Sequence, residues 1–251
     1  SGLSCSESVG SLALSLDWNE RGGACESSSQ VAVSMSDGSV CLVEVLPTGD
    51  LKMQRSWVAH ELEAWIVGWD CHNRHLLYSG ADDGILKGWD TRIGGDNPIF
   101  QDKRSHEAGV TCLQSHREVE HCLVTGSYDE NVRIYDTRQM RRPVATCHVG
   151  GGVWRVKWNS ADPRLLAVAR MHNKFGVLVY DHSTGSFDDE QLCDIQGTHS
   201  SLGYGIDWQY PSAAARATGV SRRGGSHVLA TASFYDSLVQ VWNYRSKSII
   251  I

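Results

Sequence analysis

The sequence predicts an all-β fold, a β-propeller of short four-stranded sheets, on three observations. An Asp-centred turn with a following aromatic-acid pair, Asp82-Asp83-Gly84 and Trp89-Asp90-Thr91-Arg92, recurs 46 residues on as Tyr128-Asp129-Glu130 and Tyr135-Asp136-Thr137-Arg138. His60 and His106 each stand 23 residues ahead of their turn aspartate, so two independent spacings agree. Between these anchors lie short apolar runs such as His75-Leu76-Leu77-Tyr78-Ser79 and Leu165-Leu166-Ala167-Val168-Ala169. No helical stripe of about ten residues competes with them.

The same pattern extends in both directions. Ser36-Asp37-Gly38 precedes Asp83 by another 46 residues, with Val43-Glu44 in the aromatic-acid place. Met171-His172-Asn173 and Phe234-Tyr235-Asp236 mark two later turns, the second followed by Trp242-Asn243. Each repeat opens on an entry strand with a bulky residue four before a Trp: Leu14 to Trp18, Trp65 to Trp69, Trp154 to Trp158 and Tyr204 to Trp208. The third repeat has Val110 and Gln114 there. A period near 46 residues with a Trp-Asp pair is the WD-repeat signature. Five repeats follow, at about 12–46, 57–92, 106–138, 150–181 and 199–244, in one domain spanning 1–251. Residues 210–226 interrupt the last repeat as an insertion, and Gly150-Gly151-Gly152 reads as a tight inter-blade turn.

Composition removes several classes. The formal charge of −6 argues against a general basic surface for nucleic acid, and no apolar stretch reaches the length of a membrane span. The 8 cysteines include no C-x-x-C pair, which leaves zinc and redox motifs unsupported and predicts reduced thiols in a cytoplasmic protein. No metal or cofactor is expected. His60-Glu61-Leu62-Glu63-Ala64 lacks the second His of a zinc-protease motif, His116 to Glu120-His121 is one residue too long for the inverted form, and neither a nucleophile elbow nor a phosphate-binding P-loop occurs. The first 20 residues have no basic segment ahead of Leu12 to Leu16, so they do not read as a secretory signal, and the missing initiator Met suits a processed chain or, with the repeat count, a fragment of a longer protein.

Repetition sorts the polar residues. His60, Asp83 and Trp89 echo as His106, Asp129 and Tyr135, which predicts a hydrogen-bond network within each blade that includes Ser79 or Ser127 and serves the scaffold. The residues that do not echo are Asp82, Tyr128, His172 and Tyr235 just before the turn acids, and Trp65, Trp154 and Tyr204 at the entries. They are expected to converge at one end of the channel, with Asp207 and Glu63 nearby, as a docking site for a cationic or amphipathic group. In the competing reading about half of them pack between blades. His172 belongs to a repeat that lacks both the turn Asp and the Trp-Asp, so no repeated network accounts for it.

Longer strings carry a more specific resemblance. His60-Glu61-Leu62-Glu63-Ala64-Trp65-Ile66, Tyr78-Ser79-Gly80-Ala81-Asp82-Asp83-Gly84, Gly88-Trp89-Asp90-Thr91-Arg92 and Thr125-Gly126-Ser127-Tyr128-Asp129-Glu130 are four of them. Gly151-Gly152-Val153-Trp154-Arg155-Val156-Lys157-Trp158, Met171-His172, Tyr204-Gly205-Ile206-Asp207-Trp208 and Ser233-Phe234-Tyr235-Asp236 are the others. From about Leu12 to Tyr244 the chain resembles the WD-repeat diphthine methyl-ester hydrolases of eukaryotes.

The resemblance implies a C-terminal five of seven blades and a role in diphthamide synthesis on a histidine of translation elongation factor 2, the expected partner. Other proteins of that pathway are further expected partners, and nucleic acid and membrane are not. The expected reaction is removal of the methyl ester from methylated diphthine, whose trimethylammonium suits an aromatic cage of Trp65, Trp154, Tyr204, Tyr128 and Tyr235 with Asp82. His172 or Asp207 is the expected water activator, with Arg155 or backbone N–H groups steadying the oxyanion. Arg155 is equally suited to an inter-blade ion pair. The rival reading is a non-catalytic WD-repeat scaffold that recruits other proteins.

Overall fold

The computed structural model describes residues 10–19, 29–93, 97–188, 192–195, 197, 199–210 and 225–245. The first sheet contains β1 (Ala13–Trp18), β2 (Ser29–Met35), β3 (Ser39–Val45) and β4 (Leu51–Val58). The second contains β5 (Ile66–Trp69), β6 (Leu76–Gly80), β7 (Leu86–Asp90) and β8 (Phe100–Asp102). The third contains β9 (Val110–Ser115), β10 (Cys122–Ser127), β11 (Asn131–Asp136) and β12 (Ala145–His148). In the fourth, β13 (Arg155–Trp158), β14 (Leu165–Ala169) and β15 (Phe175–Asp181) pair in order, and β16 (Ser186–Phe187) and β17 (Cys193–Ile195) share the outer edge of β15. The fifth has three described strands, β18 (Gly205–Trp208), β19 (Ser226–Ser233) and β20 (Leu238–Arg245). All pairings are antiparallel meanders, so each sheet forms from local sequence, and the first four sheets run past the sequence repeats by an outer strand. The insertion at 210–226 joins β18 to β19, and its residues 211–224 lie outside the described residues.

The core lies between the sheets. Trp57, Val67, Trp69, Leu77 and Trp89 join the first to the second, and Tyr78, Leu86, Leu113, Leu123 and Tyr135 join the second to the third. Val153, Trp158, Leu166 and Leu178 pack with Val124 and Ile134, and Phe175, Val177, Ile206, Trp208 and Leu229 fill the next space. Each such side chain contributes about 1.5–3 kcal/mol by leaving water. Polar stitches run from sheet to sheet along the inner strands: Asp17 accepts the Trp69 N–H at 2.8 Å, and Gln114 accepts the Trp158 N–H at 2.8 Å.

The repeated histidine network is complete in the second sheet. Trp89 Nε1–H donates to the Ser79 hydroxyl (2.9 Å), that hydroxyl meets His60 Nε2 (2.8 Å), and His60 Nδ1 reaches Asp83 (3.0 Å). Burial pushes the Asp83 carboxyl up. The His60 hydrogen bond and charge, with the Ile85 and Glu61 amides, outweigh burial and hold it below the usual range. A second complete set was not expected: Trp242 Nε1–H to Thr231 Oγ1 (2.8 Å), Thr231 to His199 Nε2 (2.9 Å) and His199 Nδ1 to Asp236 (3.2 Å). His199 stands 37 residues from Asp236 rather than 23 because the insertion lies between them.

The third sheet departs from the expectation. His106 Nε2 bonds Thr125 rather than Ser127, whose hydroxyl donates to Ala108 O. Asp129 does not pair with His106, because Arg133 takes both its oxygens at 3.0 and 2.7 Å, and Tyr135 donates to Asp102 at 2.9 Å. His106 Nδ1 is left buried without a partner.

Burial, reinforced by Arg133, lowers the His106 pKa to about 4, and burial lowers that of His116 to about 4. His116 Nδ1 also accepts the Glu118 and Val119 amides, contacts that protonation would remove. Both imidazoles stay neutral in the fold while the unfolded chain takes up protons near pH 6.5. Stability from this source is therefore full above pH 6.5 and is lost as pH falls toward 4. Urea titrations at stepped pH are expected to show the midpoint falling across that window, above the carboxylate range, and a midpoint flat from pH 7 to 4.5 would contradict this.

Candidate functional site

Each inner strand is entered from the same end of the sheet at which its second and third strands turn. Backbone bonds lock the two together: Asp82 N–H to Glu63 O (3.0 Å), Tyr128 N–H to Gly109 O (3.0 Å) and Gly203 N–H to Met171 O (2.9 Å). The entry residues and the turn residues therefore share one rim.

There the rings form a continuous cluster. Trp154, leading into β13, meets Trp65 of the second sheet at 5.6 Å, Tyr128 of the third at 5.8 Å and Tyr204 of the fifth at 5.3 Å between centroids. Tyr204 continues to Tyr235 at 5.9 Å, and Tyr235 to Phe234 at 5.3 Å. The Trp65–Trp154 contact joins non-adjacent sheets and so crosses the channel mouth. Asp82 is exposed and its Oδ1 accepts the Trp65 indole N–H at 3.1 Å. Tyr128 is half-buried, and burial, with the nearby Tyr204 and Asp82, raises its pKa above the ordinary phenol value. Burial, with the Tyr235 hydrogen bond, does the same for Tyr204. Tyr128 and Tyr204 are therefore neutral at physiological pH.

Two glycines make the approach possible. A Cβ on Gly109 would lie 2.7 Å from Asp82 Oδ1 and 3.3 Å from Tyr128 Cδ2, and one on Gly152 would lie 3.1 Å from Met171 Sδ and 3.3 Å from Tyr128 Cδ1. Beneath the rings a cavity of about 470 Å3 runs between β1, β5, β9 and β13, lined by Asp17, Gln114, Arg155 and Lys157 among others.

The structure thus brings Trp65, Trp154, Tyr204, Tyr128, Tyr235 and Asp82 together. It does not unite His172, Asp207 and Arg155. His172 is exposed in the β14–β15 turn and borders a separate groove with Arg170, Asn173, Lys174 and Asp194. The reason lies two residues earlier: buried Arg170 binds Val149 O, Phe175 O and Asp194, and ties that turn to β15 and β17. Asp207 is three residues down β18 from Tyr204, about 10 Å along an extended strand. There it accepts its neighbour Trp208 N–H and pairs with Lys157 at 3.5 Å. Arg155 follows Trp154 directly but lines the cavity below the rings. Among the described residues no group of three or more His, Cys, Asp or Glu could hold a metal ion, and no helix is long and apolar enough to cross a membrane.

Sheets stitched by inner-strand Asp17 and Gln114, a His-Ser/Thr-Trp chain in two of them and an aromatic rim together define a WD-repeat propeller. The family model "WD domain, G-beta repeat" matches residues 99–136. A chain in the crystal structure of the mitotic checkpoint complex superposes with a TM-score of 0.70 at 17% identity, covering 93% of this chain and 64% of that one, a likeness of fold. Among curated proteins, diphthine methyltransferase of Homo sapiens is 40% identical over 205 residues, covering 79% of this chain and 44% of its own length. The protein of that name from Schizosaccharomyces pombe is 32% identical over 234 residues, covering 92% and 64%. The chain belongs to the diphthine methyltransferase family of WD-repeat proteins, and spans less than half the length of the human relative.

Proposed function

We propose that this protein acts in diphthamide biosynthesis as a carboxylic-ester hydrolase, removing the methyl ester from methylated diphthine on translation elongation factor 2 in the cytoplasm. The observation that carries the reading is the rim. It is a cluster of rings from four sheets with a fixed carboxylate, at positions the repeat does not need, in a chain 40% identical to a protein named for diphthine. Aromatic faces bind a trimethylammonium without hydrogen bonds, at about 0.5–2 kcal/mol per ring.

The relatives' name speaks of methyl transfer, and that name favours a second reading in which a methyl group is delivered to diphthine. One assay separates the two. Purified protein and elongation factor 2 bearing methylated diphthine, with no methyl donor and no other protein, are expected to release one methanol per ester. Methyl incorporation that requires a donor, with no methanol, would favour transfer. Binding without either reaction would leave the scaffold reading.

A further inference from the structure

We infer that Asp82 and Tyr128, flanking Gly109 at the rim, are the reacting pair of this site: Asp82 as the general base that activates water and Tyr128 as the hydroxyl donor to the oxyanion. This rests on the ester-hydrolase reading and adds the residues that would perform it. Among the described residues Asp82 is the one carboxylate hydrogen-bonded to a rim ring. The Trp65 indole fixes Oδ1, which aims the carboxylate, while Oδ2 takes no hydrogen bond within the described residues and the side chain is open to solvent. The Asp82 main chain is itself pinned to Glu63 O, so the position is set by backbone and side chain together.

Tyr128 lies across the bare Cα of Gly109, its ring tilted at 54° against Trp154 and close to Gly152. Its hydroxyl donates to no protein group among the described residues, unlike Tyr78 and Tyr135, which spend theirs on Asp70 and Asp102. A half-buried phenol with no structural partner, beside an oriented carboxylate and the rings that would hold an onium group, has the composition of a hydrolytic site. His172, by contrast, borders a separate groove, and Asp207 pairs with Lys157.

The Asp82 carboxylate takes a proton from water, and the oxygen forms a bond to the ester carbonyl carbon. The carbonyl π pair moves to oxygen, where the Tyr128 O–H donates to it. As the tetrahedral centre collapses, the bond to the methoxy oxygen breaks and the proton on Asp82 passes to it, releasing methanol. The acid product ionises to a carboxylate and gives one proton to solvent. No oxidant or reductant takes part, and the methyl group leaves on the ester oxygen that already carried it.

Asp82→Asn keeps the acceptor for the Trp65 indole and removes the base. In the methanol-release assay it is expected to lower kcat by about 100-fold or more, with KM within about threefold and an unchanged melting temperature. Tyr128→Phe keeps the ring and is expected to lower kcat by about 100-fold. Asp82→Asn with wild-type kcat, or with a raised KM alone, would overturn the assignment while leaving the hydrolase reading intact. A wild-type protein that binds the esterified factor but releases no methanol would overturn both.

Discussion

Trp154→Ala is expected to weaken binding of the esterified elongation factor by about 30-fold, the equivalent of about 2 kcal/mol, and to cost the fold about 3 kcal/mol. The effect is large because this ring is the hub. It contacts Trp65 and Tyr204 edge to face and Tyr128 at a tilt, three rings from three different sheets, and each aromatic pair contributes about 0.5–1.5 kcal/mol beyond its buried area. Removing it frees three neighbours at once. Trp154→Phe should recover most of the stability and part of the affinity, since a smaller ring keeps a π face but not the full span. Calorimetric titration and thermal melting on the same preparations check both numbers. A Trp154→Ala protein with wild-type affinity would remove the rim from the binding site.

His60→Ala is expected to destabilise the protein by about 3 kcal/mol, roughly 10 °C in melting temperature, while kcat/KM at a permissive temperature stays within about twofold. The buried imidazole partners two groups, and its loss strands the Asp83 carboxylate and the Ser79 hydroxyl together. His106→Ala should cost only about 1–2 kcal/mol, because Arg133 already satisfies Asp129 and only Thr125 loses a partner. The sequence makes the two histidines equivalent and the structure does not, so the ratio of the two penalties is the informative quantity. Equal penalties, or a His60→Ala protein that melts normally but fails in turnover, would contradict the scaffold role.

Periodicity made the sheets legible because an antiparallel meander is local: turn, strand and partner fall within one 46-residue unit. It also exposed the rim, since Trp65, Trp154, Tyr204, Tyr128, Tyr235 and Asp82 are the positions where repeats differ while the backbone is the same. What it hid had physical causes. The His199–Thr231–Trp242–Asp236 chain was masked by an insertion that stretches one spacing without changing the contact, and aligning inward from Trp242 would have found it. The loss of the His106–Asp129 bond depended on Arg133, four residues along the chain and invisible to a 46-residue period. The catalytic set failed to assemble for a similar reason. Asp207 and Arg155 sit on strands that carry them away from the rim, and Arg170 holds the His172 turn to a neighbouring groove.

In the proposed function the rings recognise the quaternary ammonium carried by the modified histidine. Its most direct test is the affinity of this protein for elongation factor 2 in two forms, one with methylated diphthine and one with the unmodified histidine. The predicted result is binding at least about tenfold tighter for the modified form, with the difference lost in Trp154→Ala. Equal affinity for the two forms would contradict it.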